Sequence, residues 1–373
     1  MNQSNYLHVY FKNDLVGTLA MTPDHKAAFE YSNGWLKNGF PISPFSLPLT
    51  KKVFIPTKSH FGGLFGVFAD SLPDAWGNIL LNRLLKQNGI SPDSLSPLDR
   101  LSIVGNSGMG ALTYHPEKHF ISSQKDIDLD TIANECQKIL SSQPSNNLDE
   151  LYHLGGTGGG ARPKIMTTLD GKNWIIKFPP HIDGKDTGLM EYKYSLCAKK
   201  CGIIMPETKL FPSRECAGYF GIERFDRNGE ERIHMLTAAA LLELDFREPS
   251  LDYHSLMKLT KILTIESKAD IENMFRRMCF NVFSHNRDDH SKNFSFVYND
   301  KKDIWRLSPA YDLTYSHTYY GEHTTTVNQN GRNPSKYDLM QVGITAGMKK
   351  TTCSQIIVEI ETLVKDMLAE YLD

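Results

Sequence analysis

A chain of 373 residues is long for one ordinary domain, so two or three subdomains are expected. A hydrophobic content of 40% and a charged content of 23% are ordinary for a globular protein, and a formal net charge of −2 speaks against a dominant, non-specific grip on nucleic acid. Six cysteines (136, 197, 201, 216, 279, 353) are too sparse for a disulfide framework in a chain of this length.

In chain order, residues 6–20 read as two short strands around the turn Lys12, Asn13, Asp14. Pro73 and Asp74 open a helix whose apolar positions Trp76, Ile79, Leu80 and Leu84 recur at helical spacing, with Gly89 as the stop. The stretch "LSIVGNSGMGALTYHPE" alternates strand-like residues with glycines. Polar stretches then bracket one short helix, 131–140, which makes 119–148 the expected connector. Strands are expected around the glycines near 155–160, at 164–178 and at 208–226. Helices follow at 188–201, 236–245, 252–264, 268–284 and 351–371. Strands first and helices later predict an α+β unit of two lobes, with a small α/β N-terminal subdomain in front. The expected boundaries are 1–118 for that subdomain, 149–235 for a strand-rich lobe and 236–373 for a mostly helical lobe. The start "MNQSNYLHVYFKND" lacks the basic flank and apolar core of a signal peptide, and no run of 18 apolar residues occurs, so a cytoplasmic chain with no membrane span is expected. Cys197 and Cys201 stand one helical turn apart without a second Cys or His pair, which favours core-facing thiols over a metal site.

Four short patterns carry chemistry. "LGGTGGGARPK" places five glycines in six residues, a backbone that can approach phosphates closely. It lacks the Gly-Lys-Ser/Thr ending of a Walker loop, while Gly156, Gly158 and Ala161 nearly meet the glycine-rich flap of kinases. Lys177 ends the apolar strand "NWIIKF", where a kinase carries its phosphate-binding lysine; a snorkelling strand-end lysine is the bland alternative. Glu191, early in the next helix, could pair with it or be a surface charge. "HNRDDHSKN" packs six charged or ionisable side chains into nine residues. Asp288 and Asn293 have the spacing of the kinase catalytic loop, where the Asp takes the substrate hydroxyl proton and the Asn holds Mg2+. Asp312, beyond a short hairpin, stands where the second Mg2+ carboxylate belongs. A zinc site on His285 and His290 competes, but hard oxygen donors dominate the stretch and suit Mg2+ better. The adjacent Asp289 could also reach a substrate hydroxyl; the spacing to Asn293 favours Asp288.

"RDDHSKNFSF", "LSPAYDL", "IERFDR", "GGARPK" and "SLPDAWGNILLNRLL" together resemble the HipA family of bacterial serine/threonine kinases, the toxin halves of type II toxin–antitoxin pairs. The resemblance implies a two-lobed protein-kinase-like fold that uses ATP and Mg2+. It implies Asp288 as base, Asn293 and Asp312 as metal ligands, and Lys177 with Gly156, Thr157, Gly158 and Gly159 on the ATP phosphates. His290 and Lys292 are implied as further nucleotide contacts, with Glu223 and Phe225 beside the adenine and Glu191 as a supporting ion pair. Thr157 falls where the family carries a loop hydroxyl, usually Ser, whose autophosphorylation switches the enzyme off. The segment "HMLTAAALLELDF" departs from the family's commoner His-Gln-Glu-Asp pattern. Implied partners are a HipB-like DNA-binding antitoxin, through which alone DNA would be met, and a protein substrate such as an aminoacyl-tRNA synthetase. A catalytically silent binding module and a lipid or small-molecule kinase are the competing readings; no basic amphipathic helix supports the latter.

Overall fold

The computed structural model describes residues 5–118, 128–145, 147–180, 184–318 and 320–372. The chain divides into two compact units. The first comprises Met1–Asp186, Phe211–Leu236 and Ala240–Asp245; the second comprises Thr187–Leu210, Thr237–Ala239 and Phe246–Asp373. The tip of the expected connector, 119–127, lies outside the described residues.

In the first unit, β1 (Tyr6–Phe11) and β2 (Asp14–Met21) pair antiparallel around the predicted turn. Strands β3 (Ala27–Tyr31), β4 (Val53–Phe54) and β5 (Leu112–His115) complete a sheet of order β4-β3-β2-β1-β5. Alternation puts Leu7, Val9 and Phe11 on the buried face of β1. Helix α1 (Ala75–Gln87) begins after Pro73 and Asp74 as predicted, although Ile79 of its expected apolar stripe stays 38% exposed. The sequence reading of strand over "LSIV" is corrected: Pro97–Val104 is helix α2. Pro97 occupies the first turn, and Ser96 and Asp99 form a reciprocal capping box, the Ser96 Oγ accepting from Asp99 N at 3.1 Å and Asp99 Oδ2 from Ser96 N at 3.0 Å. Those local bonds outweigh the strand preference of the β-branched residues.

Helix α3 (Leu129–Leu140) falls inside the expected connector, yet its residues Ile132, Cys136 and Ile139 are core. They pack with Trp76, Leu80 and Leu84 of α1 and with Ile165, Trp174 and Ile176. The N-terminal subdomain and the strand-rich part therefore share one core, which is why they form a single unit. A second correction concerns the glycines: helix α4 (Leu148–Gly155) runs into them where a strand was expected. The hairpin β6 (Lys164–Leu169) and β7 (Lys172–Lys177) follows, and β7 pairs on its other side with β8 (Tyr219–Glu223).

The second unit is mainly helical: α5 (Thr187–Lys200), α6 (Tyr253–Leu263), α7 (Lys268–Phe283), α8 (Lys336–Thr345) and α9 (Lys350–Leu368). The expected 236–245 helix shortens to Ala238–Leu242 behind a strand at Met235–Thr237. Thr187–Leu210, expected with the strands, belongs here, and both Cys197 and Cys201 are fully buried as anticipated. The hydrogen bond between the two thiols, together with burial, holds Cys201 well above the usual thiol range. An antiparallel hairpin, β9 (Ser295–Asn299) and β10 (Ile304–Leu307), follows the "HNRDDHSKN" turn. Among the described residues no helix is long and apolar enough to cross a membrane.

Candidate active site

Helix α7 ends at Ser284, and the chain leaves it through His285 in the left-handed region (φ 55°). The turn is fastened from below by Asn286, whose Nδ2 donates to Asn281 Oδ1 at 3.0 Å and whose backbone N–H bonds to Asn281 O at 3.0 Å. Two neighbouring aspartates then meet opposite fates. Asp289 is 1% exposed and accepts from Tyr253 Oη at 2.9 Å and Thr325 N at 3.0 Å, with His323 Nδ1 at 3.1 Å. The Thr325 hydroxyl donates to the Asp289 carbonyl at 2.5 Å, and Thr324 N to the Arg287 carbonyl at 2.9 Å. Residues 323–325 thus strap the loop backbone on both sides of Asp288. The Asp288 side chain itself is 62% exposed, its Oδ1 4.0 Å from His290 Nε2. Of the two carboxylates, Asp288 is open to solvent while Asp289 is sealed into the network that holds the loop.

Asn293 closes the turn by donating from Nδ2 to the Asp288 carbonyl at 2.7 Å, which directs its amide oxygen elsewhere. His290 Nδ1 accepts from Lys292 N at 3.2 Å, and its ring lies 5.6 Å from Phe246, over which the Lys292 ammonium sits at 4.6 Å. Asp312 is also held in the left-handed region (φ 53°). Its neighbour Tyr311 donates to the Lys292 carbonyl at 2.7 Å and contacts the Ser295 hydroxyl, so the Asp312 segment is tied to the turn that carries Asn293. From α7, the buried Arg277 reaches the Ser308 carbonyl and, through Nε, Asn273 Oδ1 at 3.1 Å. Burial lowers the Arg277 guanidinium to about 10, still charged at neutral pH. The second unit therefore brings Asp288, His290, Lys292, Asn293 and the Asp312 segment together. The His285 ring lies 6.4 Å from Tyr315 and the His290 ring 5.6 Å from Phe246. The Asn293 amide oxygen and the Asp312 carboxylate are hard donors of the kind Mg2+ takes.

In the first unit, Lys177 ends β7 directly opposite Lys164 on β6 and Phe220 on β8, its ammonium 5.7 Å from the Phe220 ring centroid. Lys164, 5% exposed, donates to the Gly159 carbonyl within the glycine-rich loop. Gly155 O accepts from Gly158 N at 3.2 Å, and Gly160 (φ 90°) takes a conformation that favours glycine. Thr157 is 4% exposed and its hydroxyl donates to the Ser107 carbonyl at 2.9 Å. Glu223 lies 3.5 Å from Lys172 Nζ, at the end of β8, with Phe225 two residues on. Below them Asp226 is wholly buried; burial would raise it, but Arg224, Arg227 and the Gly110 N–H together hold it at about 2. Glu191 is buried on α5 in the second unit. Sequence reasoning missed Tyr253, His323 and Thr325, which act on the loop from elements distant in sequence, and Arg277 and Asn281, which lie in the helix that leads into it. The polar residues inside the apolar run "RRMCFNVF" were the available signal for Arg277 and Asn281.

The HipA-like C-terminal domain matches residues 156–367 and the HipA N-terminal domain matches residues 7–115. The chain belongs to the HipA family. Its relatives include the candidate kinases Y4dM and Y4mE of Sinorhizobium fredii strain NGR234. The first is 27% identical over 88% of this chain and 81% of the relative; the second is 24% identical over 84% and 78%. Among solved structures, HipA of Shewanella oneidensis MR-1, in complex with HipB and its operator DNA, superposes with a TM-score of 0.72 at 19% identity. That match covers 98% of this chain and 90% of the other, and shows that the two share the HipA fold.

Proposed function

We propose that this HipA-family chain is an ATP- and Mg2+-dependent serine/threonine protein kinase, with Asp288 as its base. The observation that carries the reading is the contrast within "DDH": Asp289 is sealed into a buried network while Asp288 is held in solvent by it. Asp288 accepts the proton of a substrate hydroxyl as that oxygen bonds to the terminal phosphorus of ATP and the bond to the departing ADP oxygen breaks. Asn293 and Asp312 would hold Mg2+, which neutralises charge on the phosphates. Lys177, Lys164 and the glycine-rich backbone would meet those phosphates, with Glu223 and Phe225 toward the adenine and His290 and Lys292 beside the transferred group. Thr157 is the proposed autophosphorylation site; its hydroxyl is bonded to Ser107, so modification requires the loop to leave that position.

Two supports reach beyond the site. The relatives carry kinase names, and Shewanella oneidensis HipA was solved with HipB and operator DNA. By that likeness the chain would be the toxin of a pair, restrained by a HipB-like antitoxin through which it meets DNA. It would act in the cytoplasm on a translation component such as an aminoacyl-tRNA synthetase. The test is transfer of labelled phosphate from ATP to lysate proteins in the presence of Mg2+, with phosphoserine and phosphothreonine separated after hydrolysis. Labelled protein that disappears with Asp288→Asn supports the reading; no labelling of any protein, itself included, removes it.

A further inference from the structure

Asp74 stands at the N-cap of α1, yet its side chain makes no capping bond to that helix. Its Oδ2 instead accepts from the backbone N–H of Gly160, 86 residues away, at 2.9 Å. Three more contacts from the N-terminal module reach the same loop. Trp76 N donates to Gly160 O at 3.3 Å, and Ser107 O takes the Thr157 hydroxyl at 2.9 Å. Gly77 packs so closely that a Cβ there would stand 2.1 Å from the Gly156 carbonyl oxygen. A capping aspartate ordinarily satisfies an amide of its own helix. Here it serves an amide of the most glycine-rich backbone in the chain, whose conformational freedom is the greatest to be restrained.

We propose that Asp74, Gly77 and Ser107 are positioning residues for the glycine-rich loop, so that the N-terminal module latches the loop in one conformation and thereby sets nucleotide affinity and access to Thr157. The proposal deepens the kinase reading and rests on it for its nucleotide consequence. A loop already held in its binding geometry loses less entropy when a phosphate enters, so releasing the latch weakens binding more than it slows transfer.

The test compares the full chain with Asp74→Ala, Asp74→Asn, which keeps an acceptor oxygen, and the isosteric Thr157→Val, which removes the Ser107 bond. Amide hydrogen exchange over residues 156–161 should quicken roughly tenfold in Asp74→Ala and in Thr157→Val, the worth of one lost hydrogen bond, and return toward wild type in Asp74→Asn. The KM for Mg-ATP should rise by a similar factor in Asp74→Ala, with kcat at saturating ATP changed far less. Unchanged exchange in both Asp74→Ala and Thr157→Val overturns the latch, as does equal loss of kcat and KM effect in Asp74→Ala and Asp74→Asn. If no form transfers phosphate, the kinase reading fails, and the exchange measurement alone decides whether the module holds the loop.

Discussion

At the scale of single residues the account turns on two adjacent aspartates with opposite duties. Asp289→Ala removes the acceptor for Tyr253, Thr325 and His323 in a site with no exposed surface. It should cost the second unit about 3–5 kcal/mol, read from the shift of its denaturant midpoint, because buried donors are left without a partner. Asp288→Asn should stay within about 0.5 kcal/mol of wild type in the same experiment, since the side chain is mostly in solvent. The two variants separate the anchor from the base: equal destabilisation by both would show that Asp288 is structural.

At the scale of elements, the local signals decided how much the sequence could tell. The turn that carries Asp288 and Asn293 and the hairpin before Asp312 were legible because their signals lie in neighbouring residues, and Pro73–Asp74 announced α1 for the same reason. The strand-like "LSIV" misled because its capping box precedes it, in Ser96 and Asp99. Ser96→Ala should therefore lower the stability of the first unit by about 1 kcal/mol in thermal unfolding, and no change would mean that tertiary packing alone holds α2. The strap at His323–Thr325 was illegible because its partners, the Asp289 carboxylate and the Arg287 and Asp289 carbonyls, lie more than thirty residues earlier. The glycine run was read as a phosphate loop, but its entry by helix α4 and its dependence on Asp74 are set by packing against another part of the chain.

At the scale of the whole molecule, the shared core of Trp76, Ile132, Cys136, Ile165 and Trp174 joins what the sequence divides at the connector. The same unit carries a pH liability. His234 is 2% exposed, its Nε2 2.8 Å from the Ile42 carbonyl, and burial lowers it from 6.5 to about 4. Below pH 6.5 the unfolded chain binds a proton that the folded one refuses, so stability falls as pH drops and levels off below pH 4. The loss should total about 3 kcal/mol for the first unit between those limits, and His234→Gln should flatten that part of the curve. A wild-type profile that is level from pH 6.5 to 4 would show that the imidazole is charged in the fold.

The most direct test of the central claim is the intact mass of phosphatase-treated protein after incubation with ATP and Mg2+, with fragmentation to place the change. The account predicts the added mass of one phosphoryl group on Thr157 in the wild type and none in Asp288→Asn. A phosphoryl group on the Asp288→Asn protein at the wild-type rate would contradict it.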